Sequence, residues 1–247
     1  MFFSVKDIKS GWGFAPKCII HVGAHEAEEY DEYLSFSPRE IHWVEAQADK
    51  CILLEKRFKD NNGIFVYNAA VWGTSGRSLN LKITNNGESS SLLDFGTHAT
   101  IYPDIVNLRE TKIITKTLDE LFAGKVIPDL VNIDIQGAEL QALQGAKGLL
   151  PNTKMIYLEV NQKELYKGLG LIEDIDNYLT PFGFTRSATR WWLNDGWGDA
   201  IYISSTLKSE LKYLNHIYIK LLKFRWSISQ SARLFLKYLI LFLKPNS

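Results

Sequence analysis

The amino-acid sequence predicts an α/β fold built on a doubly wound, mostly parallel sheet. Short apolar runs with the composition of buried strands recur along the chain, and most are followed by a segment with helical spacing of apolar residues. In residues 48–60, for example, Cys51, Leu54 and Phe58 recur at helical spacing. Repeated strand–helix units of this length are typical of parallel sheets that carry helices on both faces.

These patterns assign the strands and helices in chain order. After a short lead-in at residues 1–16, the first strand covers residues 17–22 and a helix follows at residues 27–35. The remaining predicted segments are strands at 41–44, 64–71, 130–135, 155–160, 182–188 and 200–204, and helices at 48–60, 117–123, 138–149 and 171–180.

The regular alternation lapses after the third strand. Residues 73–112 are rich in Gly, Ser, Asn and Thr, with one alternating run at residues 79–84. We expect an insertion that contains a strand or a hairpin and a mobile loop at residues 85–91. Loops of this length inside a compact domain are usually functional or disordered, and we expect this one to shape a ligand pocket and to become ordered when the ligand binds.

Charge is distributed unevenly along the chain, although the net charge is zero. Residues 207–247 contain eight Lys or Arg and one acidic residue, and residues 1–206 contain the other 20 basic and 27 acidic residues. We therefore divide the chain into a globular body, residues 1–206, and a basic helical tail, residues 207–247. Hydrophobic residues (46%) and charged residues (23%) occur at the frequencies of ordinary globular proteins, which excludes wholesale disorder.

Cysteine usage and the N-terminus indicate the cellular setting. The two cysteines, Cys18 and Cys51, lie in apolar strand and helix segments, so we expect two free thiols in a reducing compartment. The first residues lack a basic region followed by an apolar core, and no secretory signal is predicted. These observations predict a cytoplasmic protein.

Small or acidic residues follow the predicted strands at the places where a doubly wound sheet binds its ligand. Gly23 ends the first strand and permits close approach of the backbone, since it has no Cβ. Glu45 ends the second strand 22 residues later, close to the offset at which a carboxylate binds ribose hydroxyls. Asp134 and Glu159 end the fourth and fifth strands. We therefore expect one acidic rim, which suits a cationic ligand.

Several segments of the body resemble the FkbM-type methyltransferases, which use S-adenosylmethionine and have the class I methyltransferase fold. The resemblance covers roughly residues 17–204 in order. Its segments are Ile20-His-Val-Gly-Ala-His25, Trp43-Val-Glu-Ala46, Asn68-Ala-Ala-Val71, Ser89-Ser-Ser-Leu-Leu93, Thr117-Leu-Asp119, Asn132-Ile-Asp-Ile-Gln-Gly-Ala-Glu-Leu140, Leu143-Gln-Gly-Ala146, Ile156-Tyr-Leu-Glu-Val-Asn161, Glu164-Leu-Tyr166 and Gly196-Trp-Gly-Asp199.

The resemblance implies a Rossmann-like sheet and S-adenosylmethionine as the cofactor. Family members usually have Asn where this chain has His25 and Gly where it has Ala27, and alanine there is costly only if its φ is positive. The methionine part would lie near the loop after the first strand, the ribose hydroxyls at Glu45, and adenine near Asn68. The implied cofactor contacts are Gly23, Ala24, His25, Glu29, Glu45, Ala46, Asn68, Ala69 and Asp134.

We expect methyl transfer to oxygen, on a hydroxyl of a sugar, a polysaccharide or a related natural product. Alcohols are weak nucleophiles at neutral pH, so a positioned base is useful. The candidates are Asp134, which ends the central strand and is placed first, then Glu159 and His98. The predicted acceptor contacts are Ser90, Ser91, Glu139, Asn161 and Trp197.

The tryptophans near residue 190 have two interpretations. Trp191, Trp192 and Trp197 either form an apolar wall for a sugar ring or belong to ordinary core and lid packing. No group of His, Cys and acidic residues has the spacing of metal ligands, so no metal is predicted.

Two other classes of function remain as alternatives. One is an NAD-dependent oxidoreductase on a similar sheet, which the acidic loop after Gly23 and the absent third glycine disfavour. The other is a non-catalytic, membrane-associated binding module. Nucleic acid is not expected as a partner, because the body is acidic.

The basic tail predicts a partner of its own. In residues 207–223, Leu207, Leu211, Leu214, Tyr218, Leu221 and Leu222 form one helical stripe with lysines interspersed, and residues 233–244 are apolar between basic residues. The second run is too short to span a bilayer. A basic amphipathic helix of this kind is typical of peripheral contact with a membrane, here its inner face. The alternatives are a helix packed on the body or one that pairs two subunits in a homodimer.

Overall fold

The computed structural model describes residues 3–192, 195–212, 215–224 and 226, and a seven-stranded sheet forms its centre. The strands in chain order are β1 (Cys18–Val22), β2 (Glu40–Glu45), β3 (Ile64–Asn68), β4 (Ala70–Val71), β5 (Ser78–Thr84), β6 (Asn107–Lys116), β7 (Leu130–Ile133), β8 (Met155–Asn161), β9 (Phe184–Trp191) and β10 (Trp197–Ser204). The central sheet has the order β3-β2-β1-β7-β8-β10-β9. The predicted doubly wound, mostly parallel sheet is confirmed.

The register of the sheet brings the ends of several strands to one edge. β1 pairs in parallel with β2 and β7, so that Val22 lies opposite both Val44 and Ile133. β10 runs antiparallel to β8, and its first residue, Trp197, lies opposite Asn161 at the end of β8. The start of β10 therefore reaches the same edge as the carboxyl ends of β1, β2, β7 and β8.

The central strands read as continuous apolar runs because both of their faces are covered. Every residue of β1, β7 and β8 is buried. Successive residues point to opposite faces, so Ile19 packs in one core with Trp43, and Ile20 packs in the other core with Phe122.

The helices cover the two faces of the sheet. They are α1 (Val5–Trp12), α2 (Tyr30–Leu34), α3 (Ala48–Phe58), α4 (His98–Ile101), α5 (Leu118–Phe122), α6 (Glu139–Gln144), α7 (Ile172–Leu179) and α8 (Ser205–Glu210), with 3-10 turns at Leu150–Asn152 and Thr180–Phe182. The predicted lead-in is in fact the helix α1. Ser4 caps its first turn by accepting from the Asp7 amide, and Trp12 at its other end is buried and donates to Ser187.

The insertion after the third strand contains a second sheet of three strands in the order β4-β6-β5. The predicted strand at residues 64–71 is wrong in its extent, because β3 ends at Asn68 and β4 joins the second sheet. The predicted hairpin is formed by β5 and β6, which pair antiparallel. The prediction missed β6 itself, since its first residues are exposed and follow no alternating pattern.

The described part of the tail packs on the body. The predicted boundary at residue 206 falls inside α8, and a second helical segment covers residues 215–224. The single predicted stripe is wrong, because Leu207 and Leu222 are buried whereas Leu221 is exposed. Within the residues described, no helix has the length and apolar character needed to cross a bilayer. The predicted segment at residues 233–244 lies outside the described residues, and so does Leu214.

Candidate active site

The edge of the sheet is closed at its centre by a contact between the ends of β1 and β7. Gly23 follows β1 with φ +91°, and a Cβ at this position would overlap the carbonyl oxygen of Asp134. The amides of Gly23 and Ala24 both donate to the carbonyl of Val44, at 2.9 and 3.1 Å. The two strands thus approach at a distance that only glycine permits, and a cleft opens beside them.

The carboxylate of Glu45 fixes the loop after β1. Its Oε2 accepts from the amide of His25 at 2.8 Å, and its Oε1 accepts from the amide of Gln47 at 2.7 Å. The side chain is buried, and this burial raises the pKa of the carboxyl above its ordinary value. Each oxygen retains a second lone pair for a ligand hydroxyl. Glu45 therefore shapes the cleft as well as lining it.

Two residues of this loop have left-handed backbone conformations, His25 at φ +46° and Ala27 at φ +56°. Ala27 therefore has the positive φ that is costly for a residue with a Cβ. The guanidinium of Arg57 donates to the carbonyls of Glu26 and Ala27 and supports the turn. Nδ1 of His25 lies 2.6 Å from Oε1 of Glu28, which raises the pKa of the imidazole. Its Nε2 is buried and has no hydrogen-bond partner among the described residues.

These residues line the glycine-loop cleft, a volume of about 580 Å³ beside the carboxyl ends of β1, β2 and β7. Small side chains form one of its walls, and no Lys or Arg lines it within the part of the chain described. The predicted site residues that line it are Gly23, His25, Glu45, Ala46, Ala69, Ser90, Ser91 and Asp134.

Three predicted cofactor contacts lie outside this lining. Ala24 is buried beneath the loop, and Glu29 has Oε2 at 3.9 Å from Nδ1 of the buried His21. Asn68 donates from Nδ2 to the carbonyls of Glu45 and Ala46 at 3.0 and 3.3 Å, so it holds the turn after β2. The direct cofactor roles of these three residues remain predictions.

Three carboxyl groups gather where β7 and β8 end. Asp134 is exposed to the glycine-loop cleft, whereas Glu139 and Glu159 are buried. Desolvation is the main cause that raises the pKa of all three; the charge of Asp134 adds to it for Glu139, and the charges of Asp134 and Glu139 add to it for Glu159. The pKa of Glu139 rises to about 7, and the pKa values of Asp134 and Glu159 are raised as well. Glu139 therefore changes its charge near neutral pH.

Glu139 has a clear structural task within this cluster. Its Oε1 accepts from the amides of Ile135 and Gly137 at 2.9 and 3.1 Å, which fixes the turn between β7 and α6. Glu139 lines neither cleft, so its predicted acceptor contact remains a prediction. Asn161 is also buried away from the clefts, and its Oδ1 has no partner among the described residues.

Gln136 connects the acidic cluster and was missed as a site residue from the sequence. Its Nε2 donates to Oδ1 of Asp134 at 2.9 Å and to Oε2 of Glu159 at 3.1 Å, and its Oε1 accepts from the Tyr166 hydroxyl at 2.8 Å. Its φ of +56° directs the side chain into this bridge. Gln136 lies in the segment Asn132–Leu140, two residues after the strand-ending Asp134. That position was the signal from which the sequence could have identified it.

A second volume of about 780 Å³, the aromatic cleft, adjoins the first one. Gln136 and Glu88 line both clefts, so the two volumes meet at these side chains. The loop at residues 85–91 separates them on one side. The aromatic cleft is lined by His98, Tyr102, Tyr166, Trp192 and Trp197 together with Glu159, and by no Lys or Arg among the described residues.

The aromatic rings form a stacked wall. Trp192 and Trp197 stack with centroids 5.7 Å apart, and Nε1 of Trp197 donates to the Tyr102 hydroxyl at 2.9 Å. His98 stacks on Phe95 at 4.4 Å, and burial lowers the pKa of its imidazole. The cleft thus combines flat apolar surfaces with titratable groups, among them Glu159 and His98.

The predicted serine contacts have internal partners. Ser91 donates from Oγ to the carbonyl of Gln136 at 2.7 Å, and Ser90 donates to the carbonyl of Gly87 at 2.7 Å. Both line the glycine-loop cleft rather than the aromatic cleft. Their predicted acceptor role is therefore not supported by their position.

Metal-type ligand atoms lie together at one place in the described chain, away from both clefts. Atoms of Cys18, Glu40 and His42 lie within 4.8 Å of one another. Both nitrogens of His42 already have partners, Oε2 of Glu40 at 3.2 Å and the Tyr67 hydroxyl at 3.0 Å. These contacts account for the cluster without an ion, and the predicted absence of a metal stays a prediction.

The residues of the glycine-loop cleft fit S-adenosylmethionine on two observations. Glu45 and Asp134 supply negative charge for a sulfonium group, with no competing Lys or Arg in the described lining. The unpartnered Nε2 of His25 can bond a polar group of the ligand.

The sequence matches a known protein family. The family model of the methyltransferase FkbM domain matches residues 21–186, more than half of the chain. No curated protein matches the sequence at a significant level. Among solved structures, ribosomal protein L11 methylase from Lactobacillus delbrueckii subsp. bulgaricus is 8% identical with a TM-score of 0.47, over 81% of this chain and 75% of that chain. Magnesium protoporphyrin IX methyltransferase from Synechocystis PCC 6803, with bound S-adenosylmethionine, is 10% identical with a TM-score of 0.45, over 81% and 78%.

The matched residues run from β1 into β9 and include the loop after β1, Glu45 and the acidic cluster. The alternative of an NAD-dependent oxidoreductase is therefore set aside, and so is that of a non-catalytic module. With its Rossmann-like class I sheet, the chain belongs to the FkbM family and is an S-adenosylmethionine-dependent methyltransferase.

Proposed function

We propose that the enzyme methylates a hydroxyl group of an uncharged, ring-shaped polyol such as a sugar or a polysaccharide unit. The observation that carries this proposal is the aromatic cleft, which meets the glycine-loop cleft at Gln136 and Glu88. A methyl acceptor must reach the cofactor from an adjoining space, and this cleft provides one.

The chemistry of the aromatic cleft supports the acceptor class. Stacked indole rings such as Trp192 and Trp197 offer flat apolar surfaces with polar edges, which suits the apolar face of a sugar ring. No Lys or Arg of the described chain lines the cleft, and Glu88 and Glu159 bring negative charge. A phosphate or another anion would bind poorly here, because nothing in the described lining compensates its charge.

Glu159 is the base we assign to the reaction. It lies in the aromatic cleft and is joined through Gln136 to Asp134 in the other cleft, which places it close to the junction. Gln136 donates to Oε2, and the contact of Oε1 with Asn161 is long, at 3.5 Å. Oε1 is thus the oxygen that can accept the proton of a hydroxyl.

The other residues hold and orient the reactants. When bound, S-adenosylmethionine supplies an electrophilic methyl group. Glu45 and His25 bind the cofactor, while Asp134 faces its positive charge from the floor of the cleft. Trp192, Trp197 and His98 exclude water from the acceptor and align its hydroxyl group. Glu159 then takes the hydroxyl proton.

An acceptor panel tests the proposal. The purified chain is incubated with methyl-labelled S-adenosylmethionine and either neutral saccharides or their sugar phosphates and nucleotide sugars. We expect label on an oxygen of neutral saccharides, with little transfer to the phosphorylated counterparts. Transfer only to phosphorylated sugars, to amines or to nucleic acid would contradict the proposed acceptor class.

A further inference from the structure

The helical segment at residues 215–224 is attached to the body through one face. Ile219, Leu222 and Trp226 are buried in the same core as α1, and the ring of Trp226 lies 4.6 Å from that of Phe3. Asn215 also donates to the carbonyl of Ser10, at 3.4 Å. These contacts fix which face of the segment points away from the protein.

The outward face carries large apolar side chains. Ile217, Leu221 and Phe224 are 39%, 59% and 65% exposed. They are spaced at i, i+4 and i+7, so they form a single stripe along the helix. Exposed apolar side chains in a contiguous stripe are unusual on a protein surface that has no partner.

Basic side chains flank this apolar stripe. Lys220 and Lys223 are exposed, and with Lys208 and Arg186 they line a cleft of about 630 Å³ between the segment, α8 and β9. Arg186 is bonded to Asp176, at 2.8 Å, but none of the three lysines forms an ion pair with a described residue. These lysines therefore have no negatively charged partner among the described residues, and the surface can bind an anion.

We propose that this surface, defined by Ile217, Lys220, Leu221, Lys223 and Phe224 and named the outward helix face, docks on an anionic lipid bilayer. Protein surfaces that bind anionic bilayers combine apolar side chains with basic side chains. The apolar side chains enter the lipid interface, and the lysines pair with lipid phosphates. The chain from residue 211 to residue 247 contains no acidic residue, so no negative charge in that sequence opposes the contact.

The position of the outward helix face leaves the active site open. The cleft beneath it is lined by Thr185 and Ile203, and Ile203 lies opposite Met155 at the beginning of β8. The two functional clefts lie at the other end of β8, near Asn161. A chain docked in this way would present its clefts away from the bilayer, and changes to the face should leave methyl transfer intact.

Co-sedimentation of the full chain with vesicles tests the proposal. Vesicles of equal parts phosphatidylcholine and phosphatidylglycerol are compared with phosphatidylcholine alone, at low and high salt. We expect binding to the anionic vesicles that weakens with salt. The double variants Leu221→Ser/Phe224→Ser and Lys220→Glu/Lys223→Glu should each weaken it by ~10-fold or more.

Matched controls come from α3 and the residue after it, because α3 exposes Ile52 (64%), Leu53 (59%) and Lys56, and Lys59 directly follows its end. Ile52→Ser/Leu53→Ser and Lys56→Glu/Lys59→Glu should bind anionic vesicles like the unmodified chain. All variants are checked for their thermal unfolding midpoint.

A second experiment measures contact with the bilayer directly rather than a loss of binding. An environment-sensitive dye on Leu221→Cys should shift to the blue with anionic vesicles, and one on Ile52→Cys should not.

Three results would overturn the proposal. The first is a full chain that stays in the supernatant with anionic vesicles at low salt. The second is equal binding by the outward-face variants and the α3 controls. The third is a dimer in solution that Leu221→Ser/Phe224→Ser converts to a monomer without changing vesicle binding, because the face would then join two copies of the chain.

Discussion

Gln136 donates a hydrogen bond from Nε2 to Oε2 of Glu159, at 3.1 Å, and this bond connects the two clefts of the enzyme. The same nitrogen donates to Asp134 at 2.9 Å. One amide group thus orients a carboxylate on the cofactor side and another on the acceptor side. Because an ionised carboxylate accepts a hydrogen bond more strongly than a protonated carboxyl group does, the amide stabilises the charged forms of both.

Replacing Gln136 with Met should move the pH dependence of methyl transfer. The variant keeps the length of the side chain but removes the donor, so the pKa of Glu159 should rise. A hydrogen bond to a charged group contributes about 1.5–3 kcal/mol, which corresponds to a shift of about one pH unit or more. The rate should therefore reach its plateau at higher pH than in the unmodified enzyme.

The measurement is a pH–rate profile of each enzyme on the same acceptor. Gln144→Met, on the exposed side of α6, is the matched control and should leave the profile unchanged. A Gln136→Met enzyme that is slower but has an unshifted profile would mean that the bond to Glu159 does not set the pKa of the base.

Cofactor affinity should depend on pH in a manner that distinguishes S-adenosylmethionine from S-adenosylhomocysteine. The pKa values of Asp134, Glu139 and Glu159 are all raised, that of Glu139 to about 7. Lowering the pH from 8 to 6 protonates Glu139 and removes its negative charge from the cluster, so binding of the sulfonium cation should weaken by ~3- to 10-fold. S-adenosylhomocysteine has an uncharged thioether in place of the sulfonium, so its affinity should not weaken in this way.

Isothermal titration of both compounds across this pH range measures the difference. The amino-acid part of the two molecules is the same, so its own titration cancels in the ratio of their affinities. A constant ratio would show that the acidic cluster does not interact with the sulfonium charge.

The residues at the strand ends of the active site could be predicted from the sequence, whereas the hydrogen bonds that join their side chains could not. Gly23, Glu45, Asp134 and Glu159 each follow or end an apolar run, and a parallel sheet must bring such positions to one edge. The bridge made by Gln136 depends on where β7 and β8 lie relative to each other. Such a distance has no periodic signal in the sequence.

The errors in the predicted elements also have physical causes. The first residues of β6 are exposed, so strand alternation is absent from them. α1 is only eight residues long, and its Ser4–Asp7 capping box was the signal that could have identified it. The hydroxyl groups of Ser90 and Ser91 donate to loop carbonyls, as such groups in loops often do, and the predicted acceptor contacts of these two serines remain a prediction.

Gly23→Ala should destabilise the fold far more than alanine at another glycine with positive φ. A Cβ at Gly23 would overlap the backbone of Asp134, whereas one at Gly76 or Gly124 would meet nothing within 4 Å. All three have φ between +73° and +91°. The left-handed conformation alone costs roughly 1–2 kcal/mol, so Gly76→Ala and Gly124→Ala should lose about that much.

Urea unfolding of the three variants separates the two effects. Gly23→Ala should lose more than ~3 kcal/mol or fail to fold, since backbone must move away from backbone. Equal losses in all three variants would mean that the close approach of β1 and β7 is not needed for stability.

The most direct measurement of the two-cleft arrangement compares Glu45→Gln with Glu159→Gln in cofactor affinity and in methyl transfer. Glu45→Gln should weaken S-adenosylmethionine binding by ~10-fold or more, because the amide can no longer accept at both oxygens. Glu159→Gln should bind the cofactor within ~3-fold of the unmodified enzyme but transfer methyl groups ~10²–10⁴-fold more slowly, as expected for loss of a general base. If Glu159→Gln retains full transfer, or if both variants lose affinity and transfer in the same proportion, separate cofactor and acceptor clefts with Glu159 as the base are contradicted.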